Sequence, residues 1–156
     1  MTIAPRLQRY MEQNGIDYEI MPHDREVVAT KIAQAAHISG NAMAKGVLLK
    51  SDHGFMMAVV PASHHVDLQE LSHRAHARLG LATEEEACSI FDDCDAGAVP
   101  ACGSAYGMPM IIDSCLDDQD DLYLEAGDHR SLLHIDRMAF AKMTADAEHA
   151  RISRPH

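Results

Sequence analysis

Residues 44–60 restrict the fold of this chain more than any other segment. The sequences AKGVLLK and FMMAVV flank a short stretch with Asp52 and Gly54, two residue types that form turns. This pattern predicts a β-hairpin. Because FMMAVV is apolar at every position, neither of its faces suits contact with water. We therefore expect a central strand that is covered on both sides and ends at Pro61.

Short helices and strands alternate along the rest of the chain. Apolar residues at helical spacing, side chains that cap helix starts and short runs of β-formers predict these elements. The alternation favours a mixed α/β domain of the α+β-like kind over a doubly wound parallel one. With no repeat or low-complexity segment, we expect one domain over residues 1–156 with a loose polar tail at 144–156. The predicted helices are 3–14, 30–37, 67–76, 83–91 and 137–143, and the further strands are 16–21, 108–113, 122–126 and 131–135.

Composition and charge exclude several classes of protein. The 156 residues carry a formal net charge of −11, the opposite of a surface that grips long nucleic acids. We therefore expect no DNA binding and only a small, local contact with any other nucleic acid. No apolar run approaches the roughly 18 residues of a membrane span, and the N-terminal segment lacks the apolar core of a signal peptide. These features predict a cytoplasmic protein without membrane contact.

The four cysteines give no sign of a disulfide framework or a zinc site. They form no CxxC pair, so we expect reduced thiols. Their positions are Cys88, Cys94, Cys102 and Cys115.

The segment 97–109, GAVPACGSAYGMP, is a loop with an unusual backbone. Its glycine spacing fits neither nucleotide-binding loop motif. Ser104 stands one position too early for a nucleophile elbow, and Cys102 has no accompanying signature, so a turn role and a packing role are favoured for them. A loop bent by glycines can direct several N–H groups at one point and stabilise an oxyanion, each donor contributing roughly 3 kcal/mol. A plain connection between strands is an equal alternative.

Two lysines lie near the ends of the first hairpin strand. Lys45 shares strand parity with Val47, whereas Lys50 shares it with Leu48, so one of the two lies at the end of a core-facing row. If it is Lys45, its ammonium lies at the mouth of a cavity. The alternative is a strand-end side chain that extends into water.

Histidines occur in two close sets, His64 with His65 and His73 with His76. A helical spacing of three can place two imidazoles on one metal ion. The sequence has no HExxH motif and specifies no third ligand, so we predict no metal and no cofactor. A metal-dependent hydrolase that uses these histidines stays as an alternative.

An ordered set of short motifs resembles a known family. The set comprises Tyr18 and His23 on and after the first strand, AK at 44–45, AVVPA, VDLQEL, the loop at 97–109, MIID and LEAG. Together they resemble the YbaK-like prolyl-tRNA editing domain, also called the aminoacyl-tRNA deacylase family, over residues 3–143. The resemblance implies a mixed, barrel-like curved β-sheet surrounded by helices. It also implies a free-standing member of the family rather than a synthetase insertion.

The resemblance further implies an activity and the residues that carry it. Members hydrolyse the ester that joins a wrongly attached small amino acid, of the serine, alanine or cysteine type, to the terminal adenosine of tRNA. They use no side-chain nucleophile, and the 2′-hydroxyl of the adenosine is invoked instead. The implied partners are the acceptor 3′ end of an aminoacylated tRNA and, as a second candidate, an aminoacyl-tRNA synthetase. The implied roles are substrate engagement for Lys45, positioning of the carbonyl and the water by the backbone at Gly97, and substrate binding for Tyr18, His23, Gly103, Asp113 and Gly127.

The chain departs from the family pattern at two positions. A GxxxP loop that begins at Gly97 would place proline at position 101, but this chain has Ala101, with Pro100 one position earlier. Gly46 stands where asparagine or threonine is found in relatives. The displaced proline keeps open a second function, a non-catalytic module that binds aminoacyl-tRNA or a synthetase. The amino acid, the tRNA and the oligomeric state are left open by the sequence.

Overall fold

Five α-helices and ten β-strands make up the regular structure of the computed structural model, which describes residues 3–24, 26 and 28–156. Two short 3-10 helices, Gly103–Tyr106 and Ser114–Asp118, lie between the later strands. In chain order the other elements are α1 (Pro5–Gln13), β1 (Glu19–Pro22), α2 (Ala29–Ala35), β2 (Ala44–Ser51), β3 (Gly54–Pro61), β4 (His64–Val66), α3 (Leu68–Ala75), β5 (Gly80–Leu81), α4 (Glu84–Ile90), β6 (Met110–Asp113), β7 (Asp121–Glu125), β8 (Ser131–Asp136), α5 (Arg137–Met143), β9 (Glu148–Ala150) and β10 (Ser153–Pro155).

The predicted hairpin, β2 and β3, forms part of a five-stranded sheet with the order β5-β2-β3-β6-β9. The two strands are antiparallel, with Lys45 opposite Val60, and β3 also pairs with β6 in parallel. Val59 is buried in one apolar cluster and Val60 in another. Strand β3 is therefore central and covered on both faces, as its apolar sequence predicts.

The remaining strands form two smaller sheets. Strands β1, β8 and β7 make a three-stranded antiparallel sheet, and β10 pairs with β4. The mixed α/β class is confirmed. Among the described residues, however, the strands form three open sheets, so the expected barrel-like curvature does not extend to a closed barrel.

Capping side chains fix the starts of three helices, as predicted. Asp67 accepts a hydrogen bond from the Glu70 N–H at the start of α3, and Asp136 does the same for Ala139 at the start of α5. Thr83 forms a reciprocal capping box at the start of α4. The longest described helix, α1, has nine residues, and no described helix is long and apolar enough to cross a bilayer.

The C-terminal segment is ordered, so the expectation of a loose tail at 144–156 is wrong. Strand β9 extends the large sheet beside β6, and β10 pairs with β4. Ile152, between them, is fully buried. The sequence is polar here because both strands are short and lie at sheet edges. Their stability comes from pairing with strands far away in the chain, which local composition cannot reveal.

Candidate active site

A small cavity lies between the start of β2, helix α2, the end of β7 and the loop that begins at Gly97. Its volume is about 180 Å³. This is below the roughly 300–1,000 Å³ of pockets that hold drug-sized ligands, and it suits a group the size of a small amino acid. The lining residues are Ala29, Ile32, Met43, Lys45, Gly46, Gly97, Val99 and Glu125.

Lys45 is the cationic residue among those that line this cavity. It is the second residue of β2 and is half-buried. Within the described part of the chain, its ammonium has no hydrogen bond and no ion pair. Burial lowers the pKa of Lys45, because the charged form loses hydration without gaining a counter-charge. An anionic or strongly polar ligand group would supply that missing partner.

Lys50, at the other end of β2, has a different environment. Its ammonium forms a 2.5 Å ion pair with Glu86 of α4 and lies over the ring of Phe55. The sequence leaves open which of the two lysines lies at the end of the core-facing row. In the structure, Lys45 lines a cavity, whereas Lys50 forms an ion pair with Glu86 on the surface. Among the other basic residues near the motifs, Arg74 forms ion pairs with Glu70 and Glu148.

The backbone at Gly97 requires glycine. Its φ of +81° lies in the left-handed region that side chains rarely adopt. The N–H of Ala98 donates to the carbonyl of Asp95 at 2.9 Å, whereas the N–H groups of Gly97 and Val99 have no hydrogen-bond partner among the described residues. Both residues line the cavity. Two residues of the cavity wall thus have main-chain donors without an acceptor in the described part of the chain.

The turn between β7 and β8 holds this loop in place. The carbonyl of Gly127 accepts a 2.7 Å hydrogen bond from the Asp95 N–H, and the ring of His129 donates through Nε2 to the carbonyl of Ala96 at 2.6 Å. Gly127 has a φ of +125°, and a Cβ there would lie 3.1 Å from the Cβ of Ala4. Gly127 therefore supports the loop from behind and does not line the cavity.

Glu125 and His129 form a buried polar pair at the same turn. Oε2 of Glu125 lies 3.5 Å from Nδ1 of His129, and the two side chains are 9% and 2% exposed. Nε2 of His129 donates to the Ala96 carbonyl, and its Nδ1 has no hydrogen-bond partner in the described part of the molecule. Burial, and then the charges of Asp128 and Asp95, raise the pKa of Glu125 to about 8.

Three of the predicted substrate-binding residues lie elsewhere than the cavity wall. Tyr18 lines a separate surface cleft with Asp17, Glu19 and the end of β8. His23 donates from Nδ1 to the carbonyl of Asp24. Gly103 is buried in the core, where a Cβ would lie 2.9 Å from Cγ of Met108. The structure brings together only Lys45 and Gly97 of the predicted set at this cavity, and the roles of the others stay predictions.

Asp113 is fully buried beneath the C-terminal segment. Its carboxylate accepts hydrogen bonds from the N–H groups of Cys115 and Ile152 and from the hydroxyl of Ser153, at 2.8, 3.1 and 2.5 Å. Burial raises the pKa of Asp113, but these hydrogen bonds outweigh it and the net shift is downward. Ser153 also contacts Nδ1 of His64 at 2.9 Å. The order is aspartate–serine–histidine, so the imidazole is not placed between the other two as in a catalytic triad.

Two further side chains of the loop, Cys102 and Ser104, have surroundings typical of packing residues. Burial raises the pKa of Cys102 to about 11, so its thiol is protonated at neutral pH. Ser104 lies within the 3-10 helix Gly103–Tyr106. Across the described residues, no three histidine, cysteine or acidic side chains are arranged to hold a metal ion.

Sequence reasoning missed Glu125, although the motif LEAG contains it. Strand β7 begins at Asp121, and Leu122–Leu124 then precede a glutamate that stands before the turn at Gly127. A charged residue that ends an apolar strand is the same signal that drew attention to Lys45. The hydrophobic lining from α2 carried no such signal.

Solved structures with the same fold are found over nearly the whole chain. A protein described as a candidate trans-editing enzyme for prolyl-tRNA synthetase has a TM-score of 0.84 at 21% identity, with 97% of this chain and 96% of that chain covered. A hypothetical protein, APE2540, has a TM-score of 0.83 at 16% identity, with coverages of 96% and 99%. A scaffold protein for computationally grafted epitopes has a TM-score of 0.84 at 20% identity, with 97% of each chain covered. At these identities the likeness establishes the fold alone.

The family follows from the sequence. Residues 24–143 match the model of the aminoacyl-tRNA editing domain, which is more than half of the chain. This protein therefore belongs to the aminoacyl-tRNA editing domain family, and the resemblance found in its motifs is confirmed. Among curated proteins, no significant match was found.

Proposed function

We propose that this protein is a trans-editing hydrolase that removes a small amino acid of the serine, alanine or cysteine type from mischarged tRNA. The observation that carries the proposal is the meeting of Lys45 and the loop at Gly97 on one cavity of about 180 Å³. Among the residues that the structure describes, the Lys45 ammonium has no partner there and two N–H groups of the loop have no acceptor. Family membership supports the class of reaction.

The proposed reaction needs no side-chain nucleophile. A water oxygen bonds to the ester carbonyl carbon, and the bond from that carbon to the ribose oxygen then breaks. The ribose oxygen takes a proton, and the products are the free amino acid and tRNA with its hydroxyl restored. The N–H groups of Gly97 and Val99 stabilise the negative charge that develops on the carbonyl oxygen, each contributing roughly 3 kcal/mol. Lys45 holds the 3′ end of the tRNA.

Cavity size provides the selectivity. One methylene of difference contributes only about 1–3 kcal/mol, so binding strength alone discriminates weakly between similar amino acids. A small cavity excludes a larger side chain by contact instead. Ile32, Met43 and Val99 form the apolar walls that set this limit.

The charge of the molecule restricts how tRNA binds. A net charge of −11 opposes a long phosphate interface, so only the single-stranded acceptor end enters near Lys45. An aminoacyl-tRNA synthetase is the second proposed partner, since it would supply the mischarged product before release.

A panel of charged tRNAs tests this function. The purified protein is incubated with tRNAs that carry serine, alanine, cysteine or a larger amino acid, and release of the amino acid is followed over time. We expect release of at least one small amino acid and none of a bulky one such as phenylalanine. Absence of release across all tRNAs contradicts the proposal.

A non-catalytic binding module is the second candidate function. The displaced proline favours it, because Pro100 in place of a proline at 101 alters the loop that would position the water. The same panel distinguishes the two, since a binding module retains charged tRNA on a filter without releasing the amino acid.

A further inference from the structure

The buried end of β7 presents an acidic group to the proposed active site. Glu125 lines the cavity together with Lys45 and Gly97. Its Oε1 is buried and has no hydrogen-bond partner in the described part of the molecule. A buried acceptor without a hydrogen bond destabilises the protein, so a ligand that donates a hydrogen bond here gains binding energy.

The electrostatic surroundings of Glu125 favour a cationic donor over a neutral one. The negative charges of Asp128 and Asp95 act on Glu125 and oppose the ionisation of its carboxyl group. No ion pair joins Lys45 to Glu125 within the described residues. The wall at Glu125 is therefore locally negative, although Lys45 also lines the cavity.

An aminoacyl ester contains one group that fits this wall. Its α-amino group is a donor that is protonated near neutral pH, with an ordinary pKa of about 7.7–8.0 for a terminal amine. The ester carbonyl lies two bonds from that nitrogen. A cavity of about 180 Å³ is small enough for one amino acid to contact both Glu125 and the loop at Gly97.

We propose that Glu125 binds the α-amino group of the aminoacyl ester and thereby selects substrates with a free amine. This inference rests on the proposed function for the identity of the ligand. When the ammonium binds, the carboxyl group of Glu125 ionises. That proton passes to water. An N-acylated substrate offers no cation and meets a buried carboxyl group instead.

The test compares a free-amine ligand with its N-acetylated form. The probes are 3′-alanylamino-3′-deoxyadenosine, whose amide cannot be hydrolysed at the ester rate, and its N-acetyl derivative. Binding is measured by calorimetry, and deacylation is measured in parallel with alanyl-tRNA and N-acetylalanyl-tRNA. The variants are Glu125→Gln and, as a matched control, Glu12→Gln, an exposed position on α1.

We expect the wild type to bind the free-amine probe more tightly than the N-acetyl probe by about 10-fold or more. Glu125→Gln should lose about 10-fold or more in affinity for the free-amine probe and change little toward the N-acetyl probe, while Glu12→Gln matches the wild type. Equal affinity of the wild type for the two probes overturns the inference without any variant. Equal losses for both probes in Glu125→Gln also overturn it.

The two readouts separate this inference from the proposed function. Amine-selective binding that depends on Glu125, without deacylation of any tRNA, supports the inference and contradicts the hydrolase. Deacylation without amine selectivity supports the hydrolase and contradicts the inference. Absence of both binding and deacylation contradicts both.

Discussion

At the scale of single residues, a basic group, Lys45, and an acidic group, Glu125, lie half-buried and buried at one cavity, and no ion pair joins them among the described residues. Burial lowers the pKa of Lys45 and raises that of Glu125, and each shift favours the neutral form. Such groups weaken the folded state unless a ligand pairs with them. This is the arrangement expected where binding, rather than stability, determines the residue type.

The buried carboxyl group makes stability depend on pH. The pKa of Glu125 is about 8 in the folded protein against 4.5 for the ordinary side chain. The unfolded chain therefore loses this proton first, and stability present at low pH is lost as the pH rises from about 4.5 through 8. Each unit of difference corresponds to about 1.4 kcal/mol, so we expect a change of a few kcal/mol.

Urea denaturation at several pH values checks this expectation. Between pH 5 and pH 8.5, the free energy of unfolding should fall by a few kcal/mol more in the wild type than in Glu125→Gln, which cannot titrate. Parallel curves for the two proteins would show that the carboxyl group has no raised pKa.

The left-handed backbone at Gly97 gives a second prediction. Gly97→Ala adds a Cβ that meets the ring of His129 at 3.6 Å, an ordinary contact, so the strain comes from the φ of +81° and costs about 1–2 kcal/mol. Relief of that strain moves the loop and its N–H groups. We expect deacylation to fall by about 100-fold, the loss typical of one oxyanion donor.

Gly15→Ala is the matched control for Gly97→Ala. Gly15 has a φ of +63° and open space around a Cβ, and it follows α1 rather than lining the cavity. Both variants should lose similar stability in thermal unfolding, but only Gly97→Ala should lose turnover. Equal turnover in the two variants would show that the loop at Gly97 has no role in the reaction.

At the scale of elements, local sequence signals predicted most helices and strands. They did not predict the strands whose stability depends on pairing with segments distant in the chain. The hairpin of β2 and β3 and the caps at Asp67, Thr83 and Asp136 follow from residues near each other in the chain. Strands β9 and β10 do not, because each is three residues long and depends on β6 or β4 for its partner. At the candidate site, strand parity leaves Lys45 and Lys50 open and the family resemblance selects Lys45, whereas the burial of Glu125 depends on the fold.

Asp113 links the C-terminal segment to the large sheet. Asp113→Asn replaces an acceptor-only group by an amide that cannot accept all three hydrogen bonds, so we expect a loss of about 1–3 kcal/mol in the free energy of unfolding. The segment from 148 onward should become accessible to protease. Asp117→Asn, which loses only a surface contact with His149, serves as the control. Equal stability of the two variants would contradict the linking role.

At the scale of the whole molecule, the fold brings together elements that are distant in sequence to enclose one small space. The cavity draws on β2, α2, β7 and the loop at Gly97, so no single motif could define it. The net charge of −11 and the small volume both support the proposed contact with the aminoacylated end of a tRNA rather than with its body. Solved structures at 16–21% identity retain this fold over 96–97% of the chain.

The most direct test of the central claim compares Lys45→Ala with Lys50→Ala in single-turnover deacylation of the tRNA that the panel identifies. Both variants remove one ammonium from β2, but only Lys45 lines the cavity. We predict that Lys45→Ala lowers the rate by about 100-fold or more and that Lys50→Ala keeps the wild-type rate. An unchanged rate in Lys45→Ala, with the fold intact, would contradict the account.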